Sequence, residues 1–473
     1  MPNFVHYCRD ALVAWTSSFA LLGVACSSSD SGILPSPPPP PGVMATVTVD
    51  TLSRFQVMTG WEATAEASIS NAGFPQWKNQ LFALAAGDLG LNRLRLEVRN
   101  GAENPVDNYA ELLAGRLDNS TWRCKRYTTI NDNSDPNVMA PSGFHFSELD
   151  EKVESLVLPM KQQLEAQGES LVLSLNYTAF LNQCNPQPPY PHANAEEYAE
   201  FILAVVLHLQ QKYALVPNVV EVILEPDNTG ASSPWNGEAI GRAIVATGQR
   251  LSAAGFHPKF TAPSTENMGA AVAYFDALIR VPGVLPFLGE IAYHRYGGVS
   301  DANLVALADR ARTNGIKTAM LEHIGSGVED LYKDLLLGRA SAWQQFTLLF
   351  PQADDGAQYL VLSNGQPVLA SRSRYLRQYF RYIRLGAQRV GAGSDNAEVR
   401  PLAFVNQDGR SAVVIHTTRA GSVFVRGLRP GTYGASVTTQ SATGTELGDQ
   451  VVGVSGTITV LAPAASVLTV YRK

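Results

Sequence analysis

From about residue 55 to residue 385, short apolar runs rich in leucine and β-branched residues alternate with longer stretches whose apolar positions recur at helical spacing. The runs fall at residues 56–61, 92–97, 171–176, 219–225, 259–263, 290–294, 317–322 and 342–349. Between them, residues 147–167 place Leu149, Val153, Leu156, Val157, Met160 and Leu164 on one helical face. Ser147 is the N-cap candidate, Gly168 the stop, and Pro159 should kink the helix. Residues 196–211 and 237–254 read in the same way. An eightfold strand and helix alternation of this length predicts an α/β chain folded as a (β/α)8 TIM barrel, with a doubly wound sheet as the runner-up.

After about residue 386 the texture changes. Residues 412–416, 422–425, 434–437, 456–460 and 466–471 are short strand candidates punctuated by Asp408-Gly409, Pro430-Gly431 and Gly444, without helical periodicity. They predict an all-β sandwich over residues 386–473. The stretch before the first barrel strand also reads as β and could complete the same sandwich from the other chain end. The expected division is therefore 44–55 for the first sandwich strand, 56–385 for the barrel and 386–473 for the sandwich, joined by a helix at 372–384.

The N-terminus decides the expected compartment. Residues 11–25 form an apolar stretch too short to span a bilayer comfortably but suited to a signal-peptide core, with Arg9 as a weak positive flank and Asp10 opposing it. It closes in Leu21-Leu22-Gly23-Val24-Ala25-Cys26, which resembles the lipobox of a bacterial lipoprotein, with Gly23 as a departure. Residues 1–26 are thus read as a lipoprotein-type signal with lipidation at Cys26, and a plain signal peptide is the alternative. Residues 27–43 follow as a Ser/Pro-rich linker, whose stretch 35–41 holds six Pro and one Ser and should act as a stiff spacer. The expectation is an exported protein, anchored at the cell envelope or secreted, that meets the membrane only through that anchor.

Composition narrows the chemistry. With 36 Lys+Arg against 42 Asp+Glu, the net charge of −6 argues against a nucleic-acid partner held by counterion release. Discarding Cys8 with the signal and acylating Cys26 leaves Cys124 and Cys184, an even pair for which a disulfide is favoured in an oxidising compartment; two free thiols are the alternative. Cys-x-x-Cys, His-Glu-x-x-His, Gly-x-Ser-x-Gly and the phosphate-loop pattern are all missing, so no metal, redox or nucleotide cofactor is expected.

In a barrel, working residues lie at the carboxyl ends of the strands. The fourth run ends Val222-Ile223-Leu224-Glu225-Pro226 and the seventh Met320-Leu321-Glu322-His323. Either Glu alone reads as a solvated strand end, but strands four and seven face each other across the barrel. Two carboxylates there can bracket a sugar, and a separation of roughly 5–5.5 Å suits double displacement. Arg95 in the second strand lies between Leu94 and Leu96, so it should have a buried acidic partner and could keep a nucleophile ionised.

These residues resemble a known family. Glu225-Pro226, Glu322 and Arg95 look like the retaining glycoside hydrolases of clan A, and His294-Arg295-Tyr296-Gly297 resembles the His-x-Tyr-Gly motif of glycoside hydrolase family 30. Gly60-Trp61-Glu62-Ala63 is similar to that family's Gly-Phe-Gly-Ala start, and residues 382–390 to its Phe-Ile-Arg-Pro-Gly-Ala-x-Arg-Ile segment. Residues 402–409 look like the first strand pair of its side sandwich. The resemblance implies a barrel with a sandwich built from both chain ends, with Glu225 as acid/base and Glu322 as nucleophile. One departure matters: the family has Asn before the acid/base, where it contacts the sugar 2-hydroxyl, and this chain has Leu224. Asn228 is a candidate substitute.

Trp61, Tyr177, Trp235, Tyr296 and Trp343 fall at or just past expected strand ends, where rings can stack on sugars, and rim packing is the bland alternative. Glu62, Asn176 and His294 complete the candidate substrate-binding set. The leading expectation is a retaining β-glycosidase acting on a β-linked polysaccharide or oligosaccharide. The alternatives are a carbohydrate-binding barrel without catalysis, motivated by Leu224, and a structural surface protein.

Overall fold

The structure, a computed structural model, describes residues 43–181, 190–228, 235–350 and 353–473. The N-terminal segment with Cys26, and Cys184 of the expected disulfide, lie outside these residues; Cys124, on the short helix Asn119–Lys125, is disulfide-bonded.

After a first strand, β1 (Val43–Val57), eight parallel strands close a barrel: β2 (Gly60–Thr64), β3 (Arg93–Arg99), β4 (Val172–Thr178), β5 (Val219–Glu221), β6 (Lys259–Asn267), β7 (Leu288–Gly297), β8 (Lys317–Glu322) and β9 (Ala340–Leu349). Closure is made by β9 pairing with β2, with Trp343 opposite Trp61, and by β9 pairing with β8. The expected alternation is thus the observed one. The helix expected at 147–167 runs from Ser147 to Glu165, and its middle, Val153–Val157, is π-helical. Pro159 has no N–H to give, and the widened turn just before it accommodates the missing bond.

Among the boundaries that differ from expectation, three bear on the site, each for a physical reason. The run at 56–61 divides: its first residues end β1, and the barrel strand starts only at Gly60. β5 stops at Glu221, because beyond it the backbone bonds to its neighbours at irregular intervals, Leu224 N–H to the Tyr177 carbonyl at 3.0 Å and Glu225 N–H to the Ser264 carbonyl at 3.0 Å. β6 continues past Pro263 to Asn267 through a register shift at Ser264, whose φ is +56°. Such bulges re-aim side chains near functional sites.

The second layer is a ten-stranded, mainly antiparallel sheet in which β1 runs between the strands Gln388–Ser394 and Gly421–Arg426, so both chain ends build it. It folds over one apolar core containing Val47, Val390, Val413, Val425, Tyr433 and Leu468. Leu402, Phe404 and Val414 instead join the barrel's core, packed with Tyr379, Phe380 and Ile383 of the connecting helix Ser373–Phe380 and the residues after it. Among the described residues no helix is long and apolar enough to cross a membrane.

Candidate active site

Alternation along the strands sorts the candidates. On β3, Arg93, Arg95 and Glu97 register with Val172, Ser174 and Asn176 of β4 and point into the barrel, while Leu94 and Leu96 face the helices. Arg95 meets the acidic partner expected of it: its Nη2 donates to Glu322 Oε2, and its Nε donates to Thr64 Oγ1 at 3.1 Å. Tyr296, at the end of β7, donates its hydroxyl to Glu322 Oε1 at 3.1 Å and accepts from the Ile324 N–H at 3.2 Å. Fixed donors therefore occupy both oxygens of Glu322.

Glu225 sits opposite. His294 Nδ1 lies 2.9 Å from its Oε1, and Asn228 Nδ2 donates to its Oε2 at 3.3 Å. Ligand atoms of Glu225, His294 and Glu322 all lie within 4.8 Å of one another. The backbone at Glu225 has φ +49°, uncommon for a residue with a side chain. Both carboxyls are nearly buried but not sealed, with 8% exposure for Glu225 and 7% for Glu322, and Tyr296 beside them is 38% exposed.

Burial pushes the Glu225 carboxyl up, but the hydrogen bond and charge of His294 outweigh it and hold Glu225 below its ordinary value. His294 rises in turn, its burial offset by the hydrogen bond to Glu225 and by the charges of Glu322 and Glu225. Burial raises Glu322, with Arg95 opposing and the Glu225 charge adding to the rise. The two carboxyls and His294 are thus electrostatically linked, the charge of each shifting the others. Glu225, His294 and Glu322 are also close enough for a divalent cation, although the Arg95 charge on Glu322 competes with one.

The structure brings Glu225, Glu322, Arg95, Asn228, His294 and Tyr296 together. Asn176 faces the same barrel interior, its Oδ1 accepting from Thr178 Oγ1 at 2.8 Å and its Nδ2 without a protein partner among the described residues. Asn228, the candidate substitute for the family's Asn, lies against Glu225 through the bond from its Nδ2. The other candidates lie elsewhere. Trp61, near the start of β2, faces outward, stacks on Phe380 at 4.4 Å and donates to the Ile383 carbonyl at 2.6 Å. Trp343, its register partner, also faces outward and donates to Asp334 Oδ2 at 2.9 Å. Glu62 points inward but lies at the barrel base in an ion pair with Arg93. Tyr177, of opposite parity to Asn176, is fully buried against Tyr190, His192, Tyr198 and Trp235, and Trp235 is 5% exposed in that same aromatic cluster. All four rings, Trp61, Trp343, Tyr177 and Trp235, are thus buried against protein side chains.

Ser264 is a site residue that the sequence pattern did not show. Its hydroxyl contacts Glu221 and lies 3.3 Å from His294 Nε2, and its carbonyl holds the Glu225 N–H. Pro263 hides it by reading as the end of a strand.

Barrel and two-ended sandwich define a class of fold, and comparison with solved structures finds it again. The chain superposes on a glycoside hydrolase family 30 endoxylanase from Clostridium papyrosolvens with a TM-score of 0.63 at 16% identity, covering 90% of this chain and 100% of that one. It superposes on the catalytic domain of a family 30 xylanase from Talaromyces cellulolyticus with a TM-score of 0.64 at 15% identity and the same coverage. An endo-β-1,6-glucanase gives 0.64 at 14% identity, covering 93% of this chain and 95% of that one. The sequence resemblance to family 30 is thus matched by the fold. No family model and no curated protein matches the chain.

Proposed function

We propose that the protein is a retaining glycoside hydrolase acting on a β-linked polysaccharide or oligosaccharide, with Glu225 as acid/base and Glu322 as nucleophile. One observation carries this reading: carboxyl oxygens of the two residues lie within 4.8 Å, the close spacing that double displacement uses. The likeness in fold to two xylanases and an endo-β-1,6-glucanase supports it.

The proton inventory suits the roles. As a glycosidic oxygen approaches, the proton shared by His294 and Glu225 moves through Glu225 to the leaving oxygen. The Arg95 charge, the largest influence opposing the burial of Glu322, favours its carboxylate form, and in that form Glu322 attacks the anomeric carbon as Glu225 gives its proton to the leaving oxygen. The C–O bond to the leaving group breaks as the glycosyl ester to Glu322 forms. Glu225, now ionised, takes a proton from water, which attacks the anomeric carbon, breaks the ester and returns Glu322 as a carboxylate. We also propose export with anchoring through Cys26, a setting that suits the disulfide at Cys124.

The test is hydrolysis of β-xylans, β-glucans and β-galactans by the purified protein, with the first-formed anomer read by NMR. Retained anomer is expected, with turnover lost in Glu322→Gln. Inverted anomer refutes double displacement, and glycan affinity without turnover favours a binding barrel.

A further inference from the structure

We propose that the base of the barrel carries a second ligand site, for a small phosphate monoester with an apolar frame. A cavity of about 180 Å³ opens there between the end of β1, the start of β8 and the helix Asp301–Asn314. Its charged lining is Arg312, Lys317 and Arg339, with no carboxylate among its lining residues, and Phe55, Ala311 and Ile316 supply apolar wall. Arg312 has Asp309 on its own helix at 3.2 Å, an exposed pair open to solvent.

A fourth cation stands behind this wall. The Arg389 guanidinium carbon lies 3.9 Å from the Phe55 ring centroid, and that of Arg339 lies 5.5 Å from the same ring. Arg389 is 4% exposed, and its Nε donates to Gln56 Oε1 at 2.8 Å. Among the described residues the groups acting on it are Arg339 and the Tyr332 phenol, with no carboxylate; burial and the Arg339 charge push Arg389 down to about 10. Buried cations are ordinarily paired with an anion. Arg339 also holds a backbone φ of +50°, a strain that the surrounding structure maintains. A dianion matches this cluster of cations better than a monoanion, and an apolar frame would rest on Phe55. Lys317 and Glu322 stand at opposite ends of β8, about 17 Å apart at strand rise, so the site is distinct from the carboxylate pair.

The experiment is calorimetric titration of the purified full chain with phenyl phosphate, inorganic phosphate and benzoate. One phenyl phosphate per chain should bind, with inorganic phosphate and benzoate each several-fold weaker. Arg339→Met should weaken phenyl phosphate about tenfold, Lys317→Met several-fold, and Glu322→Gln not at all, the scale of one charged hydrogen bond. The exposed Lys317 makes the second variant decisive should Arg339→Met not fold. Absence of saturable binding overturns the proposal. So does affinity unchanged in both cation variants, loss in Glu322→Gln, or benzoate or inorganic phosphate binding as tightly as phenyl phosphate.

Discussion

His294 Nδ1 stands 2.9 Å from Glu225 Oε1, with the imidazole fully buried and its other ring nitrogen 3.3 Å from the Ser264 hydroxyl, so the protonation of the acid/base candidate is tied to that of the imidazole. The pH dependence of turnover follows. Glu322 is raised above its ordinary value of 4.5, so the acidic limb of the rate profile should lie above that value. His294 is raised above 6.5, so the alkaline limb, where the shared proton is lost, should lie above 6.5. His294→Asn should move the alkaline limb to lower pH and reduce kcat by about tenfold or more, within the range of general acid catalysis. An alkaline limb that stays in place would remove His294 from the proton inventory.

Tyr296 makes a separate prediction. Its hydroxyl donates to Glu322 Oε1 at 3.1 Å and is itself oriented by the Ile324 N–H. Tyr296→Phe leaves Arg95 as the remaining donor to the Glu322 side chain, so kcat should fall roughly tenfold, the scale of one charged hydrogen bond. The residue is 38% exposed, so the melting temperature should hardly move. Unchanged kcat in Tyr296→Phe would show that Arg95 alone positions the carboxylate.

Much of this site was legible in the sequence, and the part that was not has a common cause. Glu225, Glu322 and Arg95 announce themselves because a charge ending or interrupting an apolar barrel strand needs a partner inside the barrel. Which face a residue takes is harder to read. Shifting the start of β2 from Gln56 to Gly60 puts Trp61 at the strand's beginning instead of its end, and the outward face follows from its neighbour Glu62 pointing in. Tyr177, one residue beyond Asn176, takes the opposite face by parity. In His294-Arg295-Tyr296 the alternation works in the other direction: His294 and Tyr296 reach the carboxylates, while Arg295 turns outward to Asp334 at 2.7 Å. Ser264 depends on a bulge that no periodicity encodes.

Leu224 is the place where the chain departs from the family it resembles. It is 5% exposed, and its N–H is held by the Tyr177 carbonyl. Hydrogen bonds to the sugar 2-hydroxyl strengthen in the transition state. Leu224→Asn should therefore raise kcat several-fold on substrates that carry a 2-hydroxyl and leave it unchanged on 2-deoxy analogues. An equal effect on both would show that the position does not face that hydroxyl.

The barrel base sets a pH limit on stability that is independent of catalysis. Arg93 donates to both oxygens of Glu290, at 2.9 and 2.8 Å, and also contacts Glu62, so one cation serves two buried carboxyls. Glu290 receives the two-bond contact and further bonds from Thr59 and Thr261, which outweigh its burial and hold it low. Burial carries Glu62 up to about 7, with Arg93 opposing. Because this folded value lies above the ordinary 4.5, the native state keeps a proton on Glu62 that the unfolded chain has lost. Its contribution to stability is therefore complete below about 4.5 and declines as pH rises through about 7. Glu62→Gln, neutral at every pH and close in shape, should remove that decline, a difference on the order of 1–3 kcal/mol between pH 5 and pH 8. Arg93→Met should instead destabilise at all pH values, by about 3–5 kcal/mol near neutrality, because it leaves buried carboxyls without their cation. Urea unfolding of the two variants across that range measures both slopes, and a Glu62→Gln profile parallel to the parent would show that Glu62 is already ionised in the native barrel.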